Sequence, residues 1–243
     1  MAIVGVMLDV GGTLVASNDA RARAWVDALA EAGRSVPFER VRPLIGIGGE
    51  RLLPAIARGL SSRSGEGRRI VRRVGELFLE RYAAGLRPTP GARQLVERMR
   101  DDGLRLIVAS DAEPAEVEAL LRAAGVDDLL SEHFTAADLE RSTPLLDLAE
   151  LARCQVGLLP ETCVMLADTP HDIEAAARAG MRTIALRCGG YGDRDLAGAL
   201  RVYDDPADLL ARYDTSPLAR SAPPLIPPRR RVPQPVPGWT ARS

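Results

Sequence analysis

The stretch Val4-Gly5-Val6-Met7-Leu8-Asp9-Val10-Gly11-Gly12-Thr13-Leu14 decides the fold of this chain. An apolar run that ends on a carboxylate and two glycines predicts a buried strand that delivers Asp9 to a tight loop. In open α/β sheets, ligands bind just beyond the carboxyl ends of the strands. The glycines leave backbone N–H groups unobstructed, which suits the loop to an anion such as phosphate. The stretch therefore predicts a binding or reacting carboxylate at Asp9.

The rest of the chain alternates between strand and helix patterns. Apolar runs at residues 104–109, 163–167 and 182–186 predict further strands, and helical periodicity separates them. This alternation predicts an α/β fold, with a Rossmann-like, doubly wound parallel sheet covered by helices on both faces. Between residues 15 and 86 every pattern is helical, which predicts an all-helical insert. Asn18 stands where the first of these helices begins and is expected to cap it.

Composition shifts divide the chain into three parts. We predict a core of residues 1–14 and 87–214, a helical cap of residues 15–86, and a tail of residues 215–243. The tail is rich in proline and arginine, and it is expected to be disordered. Its prolines and arginines suit an acidic or aromatic-lined protein partner, while the alternative is a solvated extension without a partner.

Charge and cysteine usage narrow the class of protein. The chain carries a net charge of −1, and its tail holds five arginines and no acid, so the remainder is clearly acidic. That distribution argues against a nucleic-acid-binding core. No apolar run approaches the roughly 20 residues of a membrane span, and no secretory signal precedes the first strand. Three cysteines without metal-site spacing favour reduced thiols and a cytoplasmic location.

Four segments occur in the order of the haloacid dehalogenase superfamily motifs. Asp9-x-x-Gly12-Thr13-Leu14 resembles the first motif, D-x-D-G-T-L, and Leu106-Ile107-Val108-Ala109-Ser110 resembles the second. Thr143-Pro144-Leu145-Leu146-Asp147 stands where the family has K-P-x-P-D. Val164-Met165-Leu166-Ala167-Asp168-Thr169-Pro170-His171-Asp172 resembles the fourth motif, a strand followed by G-D-x-x-x-D. With its helical cap, the chain looks closest to the phosphoglycolate phosphatase and β-phosphoglucomutase-like branch.

The resemblance implies an aspartyl-phosphate mechanism that requires Mg²⁺. It implies that Asp9 is the nucleophile. It also implies that Asp9, the main-chain carbonyl of Gly11 and Asp168 bind the metal, with Asp172 as a second-layer partner of these ligands. The residues that the resemblance implies for phosphate binding are Gly12, Ser110 and Thr143. Other roles stay open at this point, since Asp168, Asp172 and Ser110 are also residue types that cap helices.

Two departures from the family pattern bear on catalysis. Gly11 replaces the second Asp, which protonates the leaving group in family phosphatases, and Thr143 replaces the Lys that neutralises phosphate. Phosphonatases have a small residue at the first position but rely on a cap lysine, and this chain has no lysine at all. Haloacid dehalogenases need no second Asp, but they usually carry an aromatic residue there. The departures predict weakened acid–base catalysis.

One stretch of the predicted cap is a candidate substrate contact. Gly46-Ile47-Gly48-Gly49-Glu50-Arg51 places a glycine-rich loop before a helix, which can bind an anion, and Arg51 could point into the cleft. The alternative is a plain connection between helices with a solvated arginine.

These observations predict a Mg²⁺-dependent hydrolase that acts on a small phosphorylated metabolite through Asp9. The alternative is an inactive protein of the same fold that binds a ligand or a protein partner. The sequence does not identify the substrate.

Overall fold

The structure, a computed structural model, describes residues 2–135, 138, 150, 153 and 157–219. Its sheet consists of β1 (Gly5–Leu8), β2 (Arg105–Ala109), β3 (His133–Phe134), β4 (Cys163–Ala167), β5 (Arg182–Leu186) and β6 (Arg201–Tyr203). The strand order is β3-β2-β1-β4-β5-β6, and every neighbouring pair is parallel. This is the order of a doubly wound, Rossmann-like sheet. The predicted fold class is therefore confirmed.

The sequence patterns did not predict two of the strands. They are β3 and β6, which have two and three residues and are the outermost strands of the sheet. Runs this short carry no apolar pattern that distinguishes a strand from a loop.

Helices occupy most of residues 15–86, the predicted insert. They are α1 (Asn18–Glu31), α2 (Phe38–Val41), α3 (Gly49–Ile56) and α4 (Gly65–Leu77). The chain continues from α4 through a π-helical turn, Phe78–Tyr82, and a 3-10 turn, Ala83–Gly85. The predicted helical insert is thus present. The bounds of the cap and core as domains remain a prediction.

Both faces of the sheet are buried, as its near-continuous apolar strands require. Val6 and Leu8 of β1 join one large apolar core, while Met7 between them joins a smaller core on the other face. The large core also takes in Trp25 and Phe78 of the insert. The remaining described helices are α5 (Ala92–Asp101), α6 (Pro114–Ala124), α7 (Pro170–Arg178) and α8 (Pro206–Ala211).

The chain is still packed where the tail was predicted to begin. Leu218 is buried in the large core, and its N–H donates to Ser216 Oγ. Packing against the core therefore extends past residue 215. The rest of the predicted tail, residues 220–243, lies outside the described residues. Within the described part of the chain, no helix combines the length and apolarity needed to cross a membrane.

Candidate active site

The strand register brings three polar residues to one edge of the sheet. Leu8 pairs with Val108 on one side and with Leu166 on the other. Asp9 therefore leaves β1 beside the ends of β2 and β4, which Ser110 and Asp168 follow. The N–H of Asp9 donates to the Leu166 carbonyl at 3.0 Å, which fixes the nucleophile candidate against β4.

Asp9, Asp168 and Asp172 form an acidic cluster. One carboxylate oxygen from each lies within 4.8 Å of the others, and Asp168 is fully buried. Desolvation and the neighbouring carboxylates raise the pKa of Asp9 well above its usual value. Desolvation is also the main cause that raises the pKa values of Asp168 and Asp172. A cation between these oxygens would offset both the desolvation of the carboxylates and the repulsion between them.

The donor set of this cluster fits a hard divalent cation. Mg²⁺ prefers oxygen ligands and is held in many proteins by one or two carboxylates. The main-chain carbonyl of Gly11, the third predicted ligand, accepts no hydrogen bond from the described residues, so its oxygen is free to bind. The residues present therefore fit the predicted metal.

The loop after Asp9 can accept an anion. Gly12 has a φ of +88°, and a Cβ there would collide with the side chains of Asn18 and Asp168, so only glycine fits. The Gly12 N–H donates to the Val15 carbonyl at 2.7 Å, so a phosphate contact from Gly12 would have to share it. In contrast, the N–H groups of Val10 and Gly11 donate to no described residue. These two groups are available to a phosphate.

Two residues that the sequence did not predict as site residues, Thr13 and Asn18, hold the buried Asp168. Thr13 Oγ1 lies 2.9 Å from Asp168 Oδ1 and 3.0 Å from Asp9 Oδ2, and its single proton serves one of them at a time. Asn18 Nδ2 donates to Asp168 Oδ2 at 2.7 Å. The expected capping role of Asn18 is wrong, because Ser17 is the residue that precedes α1 and the Asn18 amide turns to the acidic cluster instead.

Asp172 has two roles at once. Thr169 precedes α7 in a capping box, in which the Asp172 N–H donates to Thr169 Oγ1 at 3.2 Å and the Thr169 N–H donates to Asp172 Oδ2 at 3.3 Å. The Thr169 hydroxyl also donates to Asp172 Oδ2, at 2.6 Å. Asp172 is therefore a capping carboxylate, the alternative considered from the sequence, while its side chain also belongs to the acidic cluster. The capping box holds that carboxylate near Asp168.

Ser110 is buried at the end of β2, where its Oγ accepts a long hydrogen bond of 3.4 Å from the Ala112 N–H. Its alternative role as a helix cap is wrong, because Glu113 is the residue that precedes α6. Asp111 follows Ser110, and desolvation raises its pKa despite an exposed residue surface. The Ser110 hydroxyl remains the predicted phosphate donor on this side.

The insert closes over the acidic cluster. A Cβ on Gly46 would lie 2.7 Å from Thr169 Oγ1, and one on Gly48 would lie 3.5 Å from Asp111 Oδ2. On the opposite side, the Tyr191 hydroxyl lies 3.1 Å from the carbonyls of Pro43 and Ile45. The glycine-rich loop of the insert therefore lies directly against the loops that follow β2 and β4.

Two predicted contacts remain, Arg51 and Thr143. Arg51 is exposed on α3, and its charge helps to lower the pKa of His171, although desolvation is the larger cause. Arg51 as a substrate contact stays a prediction. Thr143 lies outside the described residues.

The close approach of Gly46 predicts a measurable cost for a side chain there. Gly46 has a φ of +102°, and its Cβ would meet three atoms of Thr169 at 2.7–3.2 Å. Gly33→Ala is a matched control, because Gly33 has a φ of +74° and nothing within 4 Å. We expect Gly33→Ala to lose about 1–2 kcal/mol of unfolding free energy for the left-handed backbone. Gly46→Ala should lose about 1–3 kcal/mol more through overpacking. Equal losses in urea denaturation would contradict the contact.

Comparison with known proteins agrees with the geometry. The family model for haloacid dehalogenase-like hydrolases matches residues 3–180. The chain belongs to this family and is a phosphatase-like hydrolase of it.

Curated relatives cover most of the chain. It is 30% identical over 199 residues to phosphonoacetaldehyde hydrolase of Bordetella pertussis, covering 76% of this chain and 72% of that protein. It is 28% identical over 222 residues to N-acetylmuramic acid 6-phosphate phosphatase of Pseudomonas aeruginosa, covering 88% and 96%. It is also 31% identical over 189 residues to SUPPRESSOR OF QUENCHING 1 of Arabidopsis thaliana, with 76% of this chain covered but only 18% of that longer protein.

A solved structure of a hydrolase from Pseudomonas syringae has the same fold. It superposes with a TM-score of 0.79 at 28% identity, covering 87% of this chain and 98% of the other.

Proposed function

We propose that this protein is a Mg²⁺-dependent hydrolase of small phosphorylated metabolites that works through an aspartyl-phosphate on Asp9. The observation that carries the proposal is the acidic cluster, in which Asp9 leaves the central strand beside two further carboxylates within 4.8 Å. Unbound N–H groups follow Asp9, and a buried hydroxyl, that of Ser110, ends the neighbouring strand. The name of the Pseudomonas aeruginosa phosphatase supports a phosphate ester as the substrate class.

The chain's own residues supply the nucleophile and the phosphate contacts. A carboxylate oxygen of Asp9 attacks phosphorus, forms a new P–O bond and displaces the oxygen of the leaving group. The N–H groups of Val10 and Gly11 and the Ser110 hydroxyl hold the phosphoryl oxygens. Mg²⁺, when bound, neutralises charge on the carboxylates and phosphate. Water then hydrolyses the aspartyl-phosphate, which releases inorganic phosphate and regenerates Asp9.

This site has no side chain at residue 11 that can donate the proton that an alkoxide leaving group needs. A positioned general acid contributes roughly 10²–10⁴-fold, and Gly11 has no side chain to supply one. When the P–O bond of an acyl phosphate breaks, the leaving group is a stable carboxylate, which needs no such proton. We therefore propose that the protein turns over acyl phosphates faster than alkyl phosphate esters.

The phosphonatase route does not fit this chain. The Bordetella pertussis relative is named a phosphonoacetaldehyde hydrolase, and phosphonatases of this family use a lysine Schiff base. All 32 basic residues of this chain are arginines, and a guanidinium does not form a Schiff base under these conditions. Hydrolysis of a P–O bond is the chemistry that remains.

The test is phosphate release from a panel of phosphate esters, acyl phosphates and phosphonoacetaldehyde, with and without Mg²⁺. The proposal expects metal-dependent turnover with acyl phosphates fastest and phosphonoacetaldehyde inert. Background rates on every substrate would contradict it.

Metal binding itself has a readout that needs no substrate. A ligand at 100 times its Kd stabilises the folded state by about 2.7 kcal/mol, which corresponds to a rise of about 5–11 °C in Tm for a chain of this size. We expect Mg²⁺ to raise the Tm of the wild type in this range and to leave Asp168→Asn unchanged. Because Asp168→Asn also removes a desolvated charge, its Tm without metal should equal or exceed that of the wild type.

Asp127→Asn is the control for this measurement, since Asp127 is exposed and lies in a turn after α6. Its Mg²⁺-dependent shift should match that of the wild type. A shift that survives in Asp168→Asn would place the metal elsewhere.

A further inference from the structure

The carbonyl oxygen of Gly189 joins the insert to the acidic cluster. Gly189 ends the 3-10 turn Arg187–Gly189 that follows β5. Its carbonyl accepts one hydrogen bond from Asn18 Nδ2 at 3.1 Å and a second from Arg42 Nη2 at 2.5 Å. Arg42 belongs to the insert, in the 3-10 turn Arg42–Leu44 that follows α2. One acceptor therefore holds two donors from the insert, Asn18 and Arg42, and Asn18 also faces Asp168.

The Asn18 amide is fully committed at this point. Its Nδ2 has two protons, and the two acceptors within reach are Asp168 Oδ2 at 2.7 Å and the Gly189 carbonyl at 3.1 Å. Asn18 is only 6% exposed, so water does not compete freely for either proton. The position of the Gly189 carbonyl therefore sets the plane of the amide, and the amide sets where Asp168 Oδ2 lies.

Asp168 is held at both oxygens. Thr13 Oγ1 contacts Oδ1 at 2.9 Å while Asn18 contacts Oδ2. The Asn18 hydrogen bond and the Thr13 contact, whose proton is shared with Asp9, together restrict rotation of the carboxylate. The partners that hold a metal-binding carboxylate in this way typically contribute 10–100-fold to metal affinity.

Arg42 is itself anchored on two sides. Its Nε donates to Asp19 Oδ1 at 2.6 Å, and its guanidinium lies 5.8 Å from the centre of the Tyr191 ring. The Tyr191 hydroxyl in turn lies against the Pro43 and Ile45 carbonyls of the insert. Arg42 therefore fixes the Gly189 carbonyl through the shorter of its two hydrogen bonds.

We propose that Asn18 is a positioning residue that orients Asp168 for the divalent cation, and that Arg42 supports this orientation by fixing the Gly189 carbonyl. The inference rests on the proposed function to the extent that Asp168 is taken as a metal ligand. Neither residue touches the reacting atoms. Their effect is on how well the site binds the metal.

The test is the Mg²⁺ dissociation constant of the full chain, measured by isothermal titration calorimetry without substrate. Asn18→Leu removes both donors and keeps a branched side chain of similar size, and it should raise the Kd about 10–100-fold. Arg42→Gln should raise it less, by at least about twofold, and Arg42→Lys should restore affinity because an ammonium can still donate to the carbonyl.

A double variant separates the proposed link from a general loosening of the insert. If Arg42 acts through Asn18, Arg42→Gln should have no further effect in the Asn18→Leu background, since linked residues are not additive. Arg81→Gln is the matched control. Arg81 is another insert arginine with ion pairs to α1, at Asp27 and Glu31, but it makes no contact with Gly189. Its Kd should equal that of the wild type.

Each outcome decides one part. A wild type that binds no Mg²⁺ overturns the metal site and this inference together. A wild type that binds while Asn18→Leu is unchanged overturns the positioning role and leaves the proposed function standing. An Arg42→Gln effect that persists in full in the double variant, or that Arg81→Gln reproduces, overturns the link through Gly189. If Asn18→Leu does not fold, Asn18→Ser is measured against the same threshold, because its shorter hydroxyl does not span both acceptors.

Discussion

Asp9→Asn is expected to lower Mg²⁺-dependent phosphate release by about 10³-fold or more, because the amide has no anionic oxygen to attack phosphorus. The substitution keeps the size and shape of the side chain, so the hydrogen bond from the backbone N–H of residue 9 to the Leu166 carbonyl should remain. It also removes one of three desolvated carboxylates, so no loss of Tm is expected. The measurement is phosphate release from the best acyl phosphate, together with intact mass after rapid quenching, in which only the wild type should show a phosphorylated chain.

Asp127→Asn again serves as the control, because it makes the same chemical change at an exposed site. Equal metal-dependent rates in Asp9→Asn and the wild type would contradict the proposed mechanism. Equal background rates in both would favour the alternative from the sequence, a protein of this fold that binds a ligand or partner without turnover. The intact mass distinguishes slow turnover from none, since a trapped phosphoenzyme shows that the first step occurs.

The positions of Asp9, Ser110 and Asp168 were predictable because neighbouring parallel strands bring their carboxyl ends together. Once the apolar runs before Asp9, Ser110 and Asp168 are taken as neighbouring parallel strands, their carboxyl ends must meet at one edge. The observed register, with Leu8 opposite both Val108 and Leu166, follows this expectation. Asp172 stands in the first turn of α7, four residues after Asp168, and the capping box at Thr169 explains how Asp172 is kept at the cluster.

Contacts between distant segments were not predictable in the same way. Asn18 stands where a helix cap is common, and no local pattern shows that its amide turns to a carboxylate 150 residues further along the chain. Arg42 resembles any solvated arginine of a helical insert until the Gly189 carbonyl is placed beside it. One signal in the sequence could have indicated these contacts, namely the glycines at 12, 46 and 189. At each of them a Cβ would collide with a side-chain atom of another segment, so the backbone approaches that segment closely.

A general acid restored at residue 11 is expected to raise turnover of alkyl phosphate esters about 10²–10⁴-fold. The backbone permits this change, since Gly11 is not among the glycines with positive φ. A Cβ there would lie 2.9 Å from Ser17 Oγ, so Gly11→Asp alone forces the Ser17 hydroxyl to move. The double variant Gly11→Asp with Ser17→Ala removes that contact. Ser17→Ala should cost little, because the Ser17 side chain makes no capping hydrogen bond to α1.

The comparison of substrates makes this prediction specific to the missing proton. Acyl phosphates need no general acid, so their turnover should change little in the double variant while that of alkyl esters rises. Gly11→Asn with Ser17→Ala is the matched control, since it adds a side chain of the same size that cannot transfer a proton in this way. A gain shared by the Asn control would indicate a packing effect. A gain of equal size on both substrate classes would show that protonation of the leaving group is not what limits this site.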